Sequence, residues 1–168
     1  AKSASPAQIA RALKCLGLSA AKVESIERRV RRIENDPQIE ATLCFHPLAR
    51  AHLSLGKPEQ LLLILDPTTQ DDRVVMLSAS VWYRGRALPL AWAVWPANRP
   101  LAGERFWQRV RALLALVAVL LPAGVPVIWL ADRAFGSPAF IDLLAEYHWH
   151  YVVRVQGQTV CQDRLGIE

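Results

Sequence analysis

The stretch Leu61-Leu62-Leu63-Ile64-Leu65-Asp66-Pro67 decides the fold of this chain. Five consecutive aliphatic residues, with prolines on both sides, are too few for a lone helix. They predict a β-strand that is buried on both faces and lies in the centre of its sheet. The strand ends in a carboxylate, and we expect Pro67 to stop the strand there because proline has no amide hydrogen.

A second stretch repeats this design, because the apolar strand Val127–Ala131 is followed directly by Asp132. Ligand sites in open α/β sheets lie at the carboxyl ends of the strands, so we expect Asp66 and Asp132 to meet at one sheet edge. Each aspartate alone is better explained as a turn or capping residue. Together, at equivalent strand ends, they predict a two-carboxylate site for Mg²⁺, which prefers oxygen ligands and supports phosphoryl transfer.

The order of the predicted elements after residue 57 is β-β-β-α-β-α-β. A helix between two strands requires parallel neighbours and a right-handed connection. With the fourth strand parallel to the first, this is an α/β fold of the ribonuclease-H-like type with a mixed sheet. The predicted strands begin at 61, 73, 87, 125 and 149, and the predicted helices cover about 102–121 and 137–147.

Residues 1–56 predict a small, basic, all-helical module, and residues 57–168 the ribonuclease-H-like body. The module carries 9 Lys/Arg against 5 Asp/Glu, and its helices are predicted to begin at Ser5, Ser19 and Asp36. Four arginines share one helix, which suits contact with DNA phosphates or, equally, a solvated helix face; they are Arg28, Arg29, Arg31 and Arg32.

The overall composition is that of a globular protein, with 52% hydrophobic and 21% charged residues and a net charge of +5. The three cysteines are widely spaced and form no CxxC, which argues against a disulfide framework or a zinc site and favours a reducing compartment. No apolar run approaches the roughly 20 residues that span a bilayer. We therefore expect a cytoplasmic protein with no membrane contact and no small-molecule cofactor.

Three motifs resemble those of insertion-sequence DDE transposases of the IS4-like superfamily. Leu65-Asp66-Pro67-Thr68 is similar to the family's first Asp-x-Thr motif. Leu130-Ala131-Asp132-Arg133-Ala134-Phe135-Gly136 resembles the second motif, although Ala134 stands where the family often has glycine. The run Leu88–Trp92 resembles the third strand of the family, and the resemblance covers roughly residues 60–157.

The resemblance implies a catalytic domain that cuts and joins DNA at element ends with Mg²⁺ or Mn²⁺. In that case Asp66 and Asp132 are the first two metal ligands, Thr68 supports the first motif and Arg133 approaches a phosphate. DNA is the implied partner, with a homodimer assembled on it.

The third acid of the family, a glutamate in a tyrosine–arginine–glutamate–lysine pattern, has no counterpart here, since neither Glu146 nor Glu168 occupies its place. The chain then corresponds to the N-terminal part of a transposase, as a truncated, frameshifted or decayed copy, and we expect it to be inactive alone. The alternatives are a non-catalytic remnant that binds DNA or pairs with intact transposase, and another ribonuclease-H-like nuclease.

Overall fold

The protein, as a computed structural model, is described for residues 5–54, 58–155 and 157, with the backbone alone in 41–44. The chain divides into two compact units, 1–45 and 46–168. The helices are α1 (Pro6–Cys15), α2 (Val23–Glu34), α3 (Ala41–Ser54), α4 (Glu104–Leu120) and α5 (Pro138–Ala145). The strands are β1 (Leu61–Gln70), β2 (Val74–Tyr83), β3 (Arg86–Pro96), β4 (Val127–Ala131) and β5 (His150–Val153).

The five strands form one mixed sheet in the order β3-β2-β1-β4-β5. β1, β2 and β3 are antiparallel neighbours, whereas β4 is parallel to β1 and β5 is parallel to β4. This is the predicted ribonuclease-H-like arrangement, with β1 in the centre. The helices α4 and α5 provide the crossovers that parallel strands require.

One face of the sheet is covered by helices and forms the core. Leu61, Leu63 and Leu65 of β1 are at most 4% exposed. Phe106 of α4 packs its ring against Trp95 of β3, on the same face. The buried residues of α4 recur at helical spacing; they are Val110, Leu113, Leu114, Val117 and Leu120.

The opposite face of the sheet is more open than the sequence predicted. Along β1 the exposure alternates, so that Leu62 and Ile64 are half-buried between fully buried neighbours. The prediction that β1 is buried on both faces is therefore wrong in degree. Six apolar side chains on this face are more than a third exposed, namely Val74, Met76, Trp82, Trp92, Val94 and Val152.

Pro67 does not stop β1, which continues to Gln70 in antiparallel register with β2. The parallel pairing with β4, in contrast, ends at Leu65 opposite Ala131. Beyond that point β1 has a neighbour on one side only. A proline is tolerated on such an edge, because no neighbouring strand on the open side needs a hydrogen bond from its amide nitrogen.

In the first unit, α1 begins as predicted, since Ser5 Oγ accepts a hydrogen bond from the amide of Gln8. The next two helices along the chain, α2 and α3, begin later than predicted. α2 has Lys22 rather than Ser19 at its N-cap. Asp36 accepts a hydrogen bond from the amide of Gln38 in a turn, so its side chain closes a local turn that competes with helix initiation.

Candidate metal centre

Asp66 and Asp132 each directly follow the last paired residue of the adjacent parallel strands β1 and β4. Leu65 is paired with Ala131, so the next position on each strand is one of the two aspartates, and neighbouring strands lie about 4.8 Å apart. Asp66 alternates with the buried leucines of β1, and Asp132 has an extended backbone that continues β4. Both side chains therefore lie on the open face, and both residues are exposed.

The carboxylate of Asp66 is held by its own strand. Thr68, two positions along on the same face, donates its hydroxyl to Asp66 Oδ2 at 3.3 Å. Ser78 is paired with Asp66 across the β1–β2 ladder and donates its hydroxyl to the main-chain oxygen of Asp66 at 3.2 Å. Two hydroxyl groups thus restrain Asp66. The sequence analysis did not identify Ser78, because only the register of the β1–β2 hairpin places it opposite Asp66.

Asp132 acts as the N-cap of the single 3₁₀ turn Arg133–Phe135 that follows β4. Its Oδ1 accepts a hydrogen bond from the amide of Arg133 at 2.6 Å. This capping contact is the turn role that the sequence allowed for Asp132 alone, and it also orients the carboxylate. Ala134 lies in the middle of the turn without a positive φ, so the turn does not require glycine at this position.

The other predicted residues fall into two groups. Arg133 is exposed and lies beside Asp132 in the 3₁₀ turn. In the first unit, a shallow surface is lined by Arg28, Arg31 and Arg32 together with Asn35, Asp36 and Pro37. Arg29 is exposed but does not line that surface. Arg31 is also paired with Glu27 at 2.8 Å, which neutralises part of its charge.

The donor set of the centre fits a hard divalent cation that keeps most of its water. Each carboxylate uses one oxygen in the hydrogen bonds above, and its other oxygen has no partner among the described residues. Mg²⁺ is typically held by one or two carboxylates plus water and substrate phosphate. Within the described ranges, no group of three or more His, Cys, Asp or Glu residues could hold a metal ion.

Comparison with solved structures finds transposase domains at low similarity. The catalytic domain of Mos1 mariner transposase aligns with a TM-score of 0.43 and 13% identity over 74% of this chain. The Mos1 catalytic domain with raltegravir and Mn gives the same values. The Mos1 strand transfer complex aligns with a TM-score of 0.39 and 12% identity over 93% of this chain.

This chain spans 64% of the length of those catalytic domains and 55% of the chain in the strand transfer complex. No protein-family model and no curated protein matches the sequence. Across the described residues, no helix has the length and apolar character needed to cross a membrane.

Proposed function

We propose that this chain is part of an insertion-sequence DDE transposase of the IS4-like superfamily, which cleaves DNA strands and transfers them with Mg²⁺ or Mn²⁺. The observation that supports this proposal is that Asp66 and Asp132 directly follow Leu65 and Ala131, the last pair between the parallel strands β1 and β4. Two exposed carboxylates on adjacent strands repel each other until a cation arrives. A site of this kind therefore suits a metal-dependent reaction on a phosphodiester.

In this mechanism, Asp66 and Asp132 bind the metal through their free oxygens. A bound divalent cation supplies a Lewis acid for the attacking and leaving oxygens of phosphoryl transfer. Thr68 keeps the Asp66 carboxylate turned toward the centre through its hydroxyl hydrogen bond. Arg133 binds a phosphate oxygen of the DNA, as suits a guanidinium beside a phosphodiester.

The proposal is tested by measuring the binding of Mn²⁺ to the whole chain with electron paramagnetic resonance. We expect Asp66→Asn and Asp132→Asn each to weaken Mn²⁺ binding at least tenfold, because each removes an anionic ligand. Asparagine is the appropriate replacement at residue 132, since it retains the capping ability of aspartate. Asp142→Asn on α5 is the matched control, because Asp142 is exposed and belongs to the helix layer on the other face.

Equal Mn²⁺ affinity in Asp66→Asn and in the Asp142→Asn control would contradict the metal site. Metal-dependent nicking of supercoiled DNA, lost in Asp66→Asn, is the further result that would establish catalysis by this chain.

A second candidate function is DNA binding without catalysis, as in a transposase remnant that also pairs with intact copies. The arginine surface of α2 favours it, since Arg28 and Arg32 are exposed and line one shallow surface. Residues 1–56 then form the DNA-binding module, and a homodimer on DNA is its expected assembly. DNA binding that is unaffected by Asp66→Asn, with no nicking under any metal, would favour this second function.

A further inference from the structure

Arg154 lies in line with the two aspartates, one strand further along the sheet. Ala131 of β4 is paired with Val153 of β5, so Asp132 and Arg154 occupy the next position. The amide of Arg154 donates a hydrogen bond to the oxygen of Ala131 at 3.2 Å, and this bond completes the pairing of Ala131 with Val153. Asp66, Asp132 and Arg154 therefore form one row, in the sense that each directly follows the last paired position between adjacent parallel strands.

The alternation of side chains along β5, continued by one residue, assigns the side chain of Arg154 to the open face, as for the two carboxylates. Leu130 of β4 is paired with Val152 of β5, and side chains two positions apart on a strand share a face. Val152 is 62% exposed, and Arg154 is exposed as well. The helix layer of α4 and α5 packs against the other face, so it does not separate Arg154 from the centre.

The charge of Arg154 is not neutralised by an acid in the described ranges. The ion pairs there join Arg31 to Glu27 and Arg111 to Glu146, and Arg154 takes part in neither. Asp132 and Arg154 directly follow the paired residues Ala131 and Val153, yet their side chains form no ion pair in the described part of the chain. The guanidinium is thus available to a ligand that also reaches the carboxylate pair.

The charges of the row identify that ligand. A divalent cation neutralises the two carboxylates, and the arginine then leaves one positive charge, which matches the single negative charge of a phosphodiester. A guanidinium presents a planar fork that binds two oxygens of one phosphate, which lysine does not do.

On the basis of the proposed function, we propose that Arg154 is a phosphate-binding residue, which holds the DNA phosphodiester against the metal held by Asp66 and Asp132. This role differs from that of Arg133, which lies in the turn after β4 rather than in the row of strand positions. It accounts for a position that the sequence pattern did not single out.

The test uses the whole chain with Arg154→Ala, Arg154→Lys and, as control, Arg109→Ala. Arg109 is exposed on α4 in the helix layer, so its removal changes the net charge equally without altering the row. In the absence of DNA, Arg154→Ala should bind Mn²⁺ roughly three- to tenfold more tightly, because a positive charge near the cation is removed. The control should leave Mn²⁺ binding unchanged.

DNA binding is measured by fluorescence anisotropy with a duplex oligonucleotide, with and without Mn²⁺. We expect Arg154→Ala to weaken binding about tenfold in Mn²⁺, and Arg154→Lys to fall between it and the unaltered chain, because lysine keeps the charge but loses the fork. The opposite direction of the two effects, tighter metal binding and weaker DNA binding, is not expected of a residue that only stabilises the fold.

The role of Arg154 is overturned if Arg154→Ala and Arg109→Ala have equal DNA affinities, with or without Mn²⁺. The proposed function fails by a different result, namely Mn²⁺ binding that does not depend on Asp66. If that happens, the comparison of Arg154→Ala with Arg109→Ala in metal-free buffer still decides whether Arg154 binds phosphate. Each of the two proposals therefore has its own contradicting measurement.

Discussion

At the scale of single residues, the carboxylates of the centre are oriented by short local contacts. Asp66 accepts the hydroxyl of Thr68, and Asp132 accepts the amide of Arg133. Both contacts join residues that are at most two positions apart in the chain. The residues of each motif therefore orient their own aspartate. A residue outside the motifs contacts Asp66 only where another strand approaches, as with Ser78.

Gly136 is favoured by close packing rather than by its backbone conformation. It has a φ of −74°, which any residue adopts. A Cβ at this position would lie 3.2 Å from the main-chain oxygen of Arg154 and 3.3 Å from that of Arg133. The end of the 3₁₀ turn therefore packs against the backbone of the residue that we assign to phosphate binding.

We predict that Gly136→Ala destabilises the protein by about 1–3 kcal/mol, the usual cost of overpacking, and that it weakens DNA binding in Mn²⁺ by shifting Arg154. Urea denaturation measures the first effect. Gly157→Ala is the control, because a Cβ there meets nothing within 4 Å, and it should change stability by less than about 0.5 kcal/mol. Equal stability of the two variants would contradict the packing argument.

At the scale of elements, β1 separates a helix-covered face from an open one. Adjacent residues of the same strand thus have different surroundings: Leu63 is completely buried, whereas Ile64 is only half-buried. The aspartate pair belongs to the face of Ile64. The candidate metal centre is consequently accessible, although the strand that carries Asp66 is central in the sheet.

We predict that Leu63→Ala lowers the free energy of unfolding by about 2–5 kcal/mol, the range for removing a buried leucine side chain. Ile64→Ala should cost clearly less, because part of the side chain is already in contact with solvent. The two midpoints of urea unfolding give the comparison directly. A larger loss for Ile64→Ala would mean that the open face is covered in solution.

At the scale of the whole molecule, the positive charge is concentrated in the helical front part, with 9 Lys/Arg against 5 Asp/Glu in residues 1–56. The remaining residues are close to balance, with 11 against 10. A DNA-binding protein with this distribution would use the front part for phosphate contacts and the body for the metal-dependent step.

We predict that DNA binding weakens steeply as salt rises, because each neutralised phosphate releases condensed counterions. Replacing both Arg28 and Arg32 by alanine should reduce the slope of log K against log salt by about 1–2. Arg29→Ala should have a smaller effect per residue, since Arg29 lies outside the surface that Arg28 and Arg32 line. A slope unchanged in the double variant would place the DNA contacts elsewhere.

The sequence by itself determined the order of the elements, the central position of β1 and the location of Asp132 directly after β4. These features follow from local patterns, namely apolar runs, turn residues and the requirement that a helical crossover joins parallel strands. The sequence placed Asp66 at the end of β1, which is wrong, because β1 continues to Gln70. The starts of α2 and α3 were predicted too early, because Ser19 and Asp36 are good capping residues that also form turns.

Only the tertiary structure determined which residues from other elements lie close in space to the motifs. Arg154 is 22 positions after Asp132 in the sequence, and no periodicity relates them. They become neighbours because the parallel register of β4 and β5 sets which positions face each other. The continuation of β1 past Pro67 has the same origin, since the tolerance of proline depends on whether a neighbouring strand needs its amide hydrogen.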